Sequence, residues 1–62
     1  MFHKFKIGQP VGYWPPPSVA PQGTDHVTAL LPERNGEFEY RVRHPDEEHE
    51  RVVRESELQE RS

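Results

Sequence analysis

The chain has no cysteine and a single methionine, and nowhere in its 62 residues does a long apolar run occur. Without cysteine there is no disulfide to staple a domain this small, which points to a reducing cytoplasm. A membrane-spanning helix needs about 18 or more consecutive apolar residues, so none is expected. The start, Met1-Phe2-His3-Lys4-Phe5-Lys6, has charges with no apolar stretch behind them, unlike an export signal. Hydrophobic residues make up only 31%, balanced by 31% charged. That mixture approaches the disordered class, but the net charge is just −3 and the aromatics sit at patterned positions. One folded domain over residues 1–62 is expected, with a sparing core, since a chain of this length buries only about 60% of its unfolded surface.

What is present is a β pattern. Glu37-Phe38-Glu39-Tyr40-Arg41-Val42-Arg43 alternates charged and apolar residues over seven positions, the signature of a half-buried strand. Just ahead of it, Asn35-Gly36 is suited to a tight hairpin turn, because both residues tolerate positive φ. Parity across that turn places Val27, Ala29 and Leu31 on the face of Phe38, Tyr40 and Val42. Thr28, Leu30, Glu39, Arg41 and Arg43 then fall on the outer face.

Upstream, Phe5, Ile7, Val11 and Tyr13 keep one parity, interrupted by Gly8-Gln9-Pro10, and form a first strand entered through a turn or bulge. From Trp14 to Gly23, four prolines prevent both helix and strand and make a loop of polyproline character. No two prolines there have the P-x-x-P spacing read by proline-recognition grooves, so the segment reads as a structural loop. Downstream, His44-Pro45-Asp46-Glu47-Glu48-His49 supplies a second turn with proline placed for type I geometry. Glu50 to Arg54 follows as another strand with either Val52 or Val53 inward. Glu55-Ser56-Glu57-Leu58 closes with one helical turn that drops Leu58 onto the core. Residues 1–3 and 59–62 are expected to fray.

The expected fold is all-β: an SH3-like antiparallel barrel of four to five strands with a short helical turn near the C-terminus. Its core is Phe5, Ile7, Val11, Tyr13, Val27, Ala29, Leu31, Tyr40, Val42, Leu58 and one of Val52 or Val53. The opening Phe5 to Val11, the middle Tyr40-Arg41-Val42 and the close Val52 to Leu58 resemble the small SH3-like and Tudor-like barrels. Leu30-Leu31-Pro32, Tyr40-Arg41-Val42 and His49 to Leu58 also resemble a group of short bacterial proteins of about this size, with Asp25 where that group carries an aromatic. The resemblance implies the barrel and the cytoplasm, and no activity.

For chemistry, the histidines and carboxylates between His44 and His49 lack the four converging nitrogen or sulfur ligands of a structural zinc site, so no metal or cofactor is expected. Ser18, Ser56 and Ser62 have no glycine-rich elbow, and Glu37 and Glu39 share a face with Arg41 and Arg43, which keeps them ionised. An enzyme is not expected. Arg41 and Arg43, with Tyr13, Trp14 and Phe38 nearby, could serve RNA or single-stranded nucleic acid, but the interleaved glutamates cancel the positive patch that phosphate needs. Binding of a protein or peptide is the leading expectation, as a monomer or weak homodimer, with Trp14, Leu30, Arg41 and Arg43 as the candidate surface.

Overall fold

The computed structural model describes residues 2–15 and 23–61. Five antiparallel strands, β1 (Pro10–Tyr13), β2 (Asp25–Arg34), β3 (Glu37–Arg43), β4 (Arg51–Arg54) and β5 (Leu58–Glu60), form one sheet in the order β4-β3-β2-β1-β5. The sole helical element among the described residues is the 3-10 turn Glu55–Glu57. That short connection forces the sheet to curl. Five flat strands would hold β4 and β5 about 19 Å apart, whereas Arg54 and Leu58 can be at most about 14 Å apart along the chain. The result is the small all-β barrel expected, closed at one end by the 3-10 turn.

Asn35 (φ 53°) and Gly36 (φ 86°) make the two-residue turn between β2 and β3, with Arg34 facing Glu37. Replacing Gly36 by alanine leaves no clash but puts a side chain at a left-handed φ. The cost should be about 1 kcal/mol, read as a lower urea midpoint at unchanged slope.

The core consists of Phe5, Val11, Val27, Tyr40, Val42, Val53 and Leu58, with Tyr13 and Phe38 packed against it half-buried. Val53 is the inward valine; Val52 is 57% exposed. Three expected core residues are placed differently. Ile7 is 66% exposed, because Lys6 to Gln9 is a turn closed by the Gln9 amide on the Lys6 carbonyl (3.0 Å) with Gly8 at φ 86°. Strand alternation therefore begins at Pro10 and does not reach Ile7. Ala29 and Leu31 are half-buried and stand opposite Arg41 and Glu39, not opposite the core residues of β3. The register slips at Thr28, between Val27↔Val42 and Ala29↔Arg41, and a one-residue slip exchanges the two faces. A second irregularity falls at Pro32, where a residue without an amide proton is tolerated in a strand.

His3 and residues 59–61 make specific contacts with the sheet. The His3 ring stacks on Phe38 at 4.0 Å and meets Tyr40 edge-on, and its Nε2 lies 2.6 Å from the Leu31 carbonyl. At the other end, Gln59 and Glu60 pair with Gly12 and Val11 in β5. The Arg61 amide donates to the Pro10 carbonyl (3.2 Å), and the Arg61 side chain lies over Gly12, where it fills the space a Cβ would take.

Candidate functional site

Trp14 follows the last residue of β1, and its amide donates to the Glu57 carbonyl (2.8 Å). This bond fixes the backbone while the indole stays outside, 60% exposed. Residues 16–22 of the proline-rich loop lie outside the described residues.

Leu30 is 40% exposed but stands opposite Tyr40, on the side of the core face at its edge, rather than on the outer face. The slip at Thr28 is the cause. Trp14 and Leu30 do not form one patch: the β1–β2 pairs are Pro10↔His26 and Val11↔Asp25, Trp14 lies beyond one end of that short ladder and Leu30 beyond the other.

Arg41 and Arg43 do lie on the outer face of β3. The outer row there is Ala29, Arg41 and Val52, side by side across β2, β3 and β4. The next row is Leu31, Glu39 and Arg54. Arg43 faces His26, and its Nε donates to the Glu47 carbonyl (3.0 Å). Arg54 is bonded to Glu57 (3.3 Å) and Arg51 to Glu47 (2.7 Å). Among the described residues Arg41 has no ion pair; its cross-strand neighbours Ala29 and Val52 are apolar, and Glu39 and Arg43 flank it along the strand. One free cation in a row of small apolar side chains is a poor cradle for a phosphate chain.

Two of the three rings that could stack on bases are engaged elsewhere, and Trp14 alone is exposed. Phe38 is covered by His3, and Tyr13 donates its hydroxyl to Asp25 Oδ2 (2.7 Å). Asp25 is the one buried charged residue among those described, 7% exposed, and the pair links the neighbouring strands β1 and β2. Burial and the neighbouring carboxylate push the Tyr13 phenol up to about 12.

A second polar cluster locks the N-terminal segment. The Tyr40 ring lies in the core, and its Oη accepts the amides of Lys4 (2.9 Å) and Phe5 (3.3 Å) and donates to Glu55 Oε2. Burial, and then the Glu55 carboxylate, raise the Tyr40 phenol above its ordinary value. Tyr40 was legible as core; its role as a three-way hydrogen-bond hub was not, because its partners lie 15, 35 and 36 residues away.

Acid–base chemistry finds no support on the strands. Glu37 Oε1 accepts the Ser56 amide (2.9 Å), which holds the Glu37 carboxyl below its usual range. The expected ionised state is present, but its main cause is that amide, with Arg54 a lesser contributor in place of Arg41 and Arg43. Among the described residues no group of three or more His, Asp or Glu side chains converges as a metal site. At the second turn, the Glu47 amide closes on the His44 carbonyl (3.0 Å) and the Asp46 amide on His44 Nδ1 (3.1 Å). His44 thereby serves the turn.

Compared with protein-family models, curated proteins and solved structures, the chain has no match.

Proposed function

We propose that this protein is a small binding module for a protein or peptide, working in the cytoplasm and carrying no catalytic machinery. The observation that carries the reading is Trp14. A large aromatic whose backbone is fixed to Glu57 and whose ring is mostly in solvent presents apolar area at little entropic cost on binding. Arg41, with Ala29 and Val52 beside it, is a second exposed position of the kind that anchors protein contacts. Absence of cysteine suits a reducing compartment, and no helix among the described residues is long and apolar enough to cross a membrane.

Trp14 is the only tryptophan, so its fluorescence reports directly on occupancy. Peptides selected from a random display library against the protein should shift that emission, and Trp14→Ala should weaken their binding by about tenfold or more, the range of an interface hot spot. Selected peptides that bind Trp14→Ala as well as the unaltered chain would move the site away from Trp14. Oligonucleotide binding that falls log-linearly with salt and shifts the amides of Arg41 and Arg43 would replace the reading with a nucleic-acid one.

A further inference from the structure

Strand β4 lies at the end of the strand order, and among the described residues no strand pairs with its second edge. The phase of that edge can be worked out from two hydrogen bonds. The Arg41 carbonyl accepts the Thr28 hydroxyl (3.3 Å), so Arg41 turns its peptide groups toward β2, and Arg41↔Val52 is a pair without mutual backbone bonds. The Arg54 amide donates to Glu57 Oε1 (2.9 Å) rather than to β3, which gives the same phase. The amide and carbonyl of Val52 therefore point out of the sheet.

Glu50 and Arg54 stand two residues either side of Val52, on its face of the strand. We propose that the open edge of β4 pairs antiparallel with β4 of a second copy of this chain, about a two-fold axis at Val52. In that register Val52 meets Val52 of the other copy and exchanges two backbone hydrogen bonds with it. Glu50 of each copy stands opposite Arg54 of the other, where it joins the existing Arg54–Glu57 pair, and a side chain that is 57% exposed gains an apolar neighbour. Neighbouring registers fail. An axis between Val52 and Val53 sets Arg51 opposite Arg54 and joins an outward peptide to an inward one. An axis at Arg51 sets two arginines face to face, and one at Val53 runs into the 3-10 turn. Charged residues at both ends are a common way to blunt a strand edge, and here Arg54 disfavours a partner strand that presents a cation opposite it.

Such a short edge buries little area, so the association is weak and transient. Trp14 takes no part in the strand pairing: it follows β1, and only its backbone amide reaches the turn after β4, at the Glu57 carbonyl. The test is a dilution series of the full chain up to about 1 mM, followed by amide shifts and sedimentation. Concentration-dependent shifts centred on residues 50–54 are expected. Glu50→Arg and Arg54→Glu should each abolish them, the first by placing arginine opposite arginine and the second glutamate opposite glutamate. Mixing the two variants in equal amounts should restore association, because each then offers the charge the other lacks, and the restoration proves both are folded. Trp14→Ala should self-associate like the unaltered chain, so loss of peptide binding and loss of self-pairing are read separately. No concentration dependence, association that survives either charge reversal, or a mixture that stays monomeric overturns the proposal.

Discussion

Replacing Tyr40 by alanine is expected to cost about 3 to 5 kcal/mol, the range for removing a large buried aromatic. A domain of this length has about 3 to 9 kcal/mol in all, so the variant should be largely unfolded at room temperature. Two separate losses add up. The ring is fully buried, with Phe5 packed edge-on at 5.5 Å and His3 at 5.3 Å. The hydroxyl accepts the amides of Lys4 and Phe5 and donates to Glu55, so it ties the N-terminal segment and the 3-10 turn to β3. Tyr40→Phe separates the two: the ring stays, while a buried amide and a carboxylate lose their common partner. It should cost about 1 to 3 kcal/mol. Urea melts followed by far-UV circular dichroism give both values. If Tyr40→Phe matches the unaltered chain, the Lys4 amide is served by Glu55 Oε2 (3.1 Å) and the hub is not a source of stability.

The contrast between Tyr40 as core and Tyr40 as hub shows what the sequence could carry. Period-2 alternation from Glu37 to Arg43 reads directly, because each residue's neighbours on the strand determine its face. The Asn35-Gly36 turn reads for the same local reason. Across the hairpin, parity fails at Thr28, since a bulge is set by how strongly the sheet must bend to meet the 3-10 turn, and no single residue there announces it. Alternation also does not reach Ile7, because Gly8 turns the chain between it and Val11. On the candidate surface, Arg41 and Arg43 could be placed because they belong to the regular strand. Leu30 could not, because it lies beyond the slip. The choice between Val52 and Val53 waited on the length of the loop after Arg43, which local pattern does not fix.

The second large effect is expected at Tyr13 and Asp25. Asp25 occupies a site with almost no access to solvent, and the Tyr13 hydroxyl is the side-chain donor that reaches its carboxylate. Tyr13→Phe removes that donor and should destabilise the domain by about 2 kcal/mol, more than the loss of an ordinary neutral hydrogen bond, because a charge loses its partner. Adding Asp25→Leu to Tyr13→Phe removes the stranded group as well and should recover part of the loss, the non-additivity expected when two residues share one interaction. The pair also sets the behaviour in alkali. Both tyrosines of the chain have raised phenols, Tyr13 to about 12, so the folded state holds these protons more firmly than the unfolded chain. Stability from this source is therefore complete below the ordinary phenol value of 10 and falls as pH rises from there toward 12. Phenolate absorbance should lag behind that of free tyrosine and then rise together with the loss of circular dichroism. In Tyr13→Phe, alkaline loss of stability should be shallower, since one of the two linked protons is gone. An alkaline titration in which both phenols ionise at their ordinary value while the fold persists would show that neither hydroxyl is held by its carboxylate.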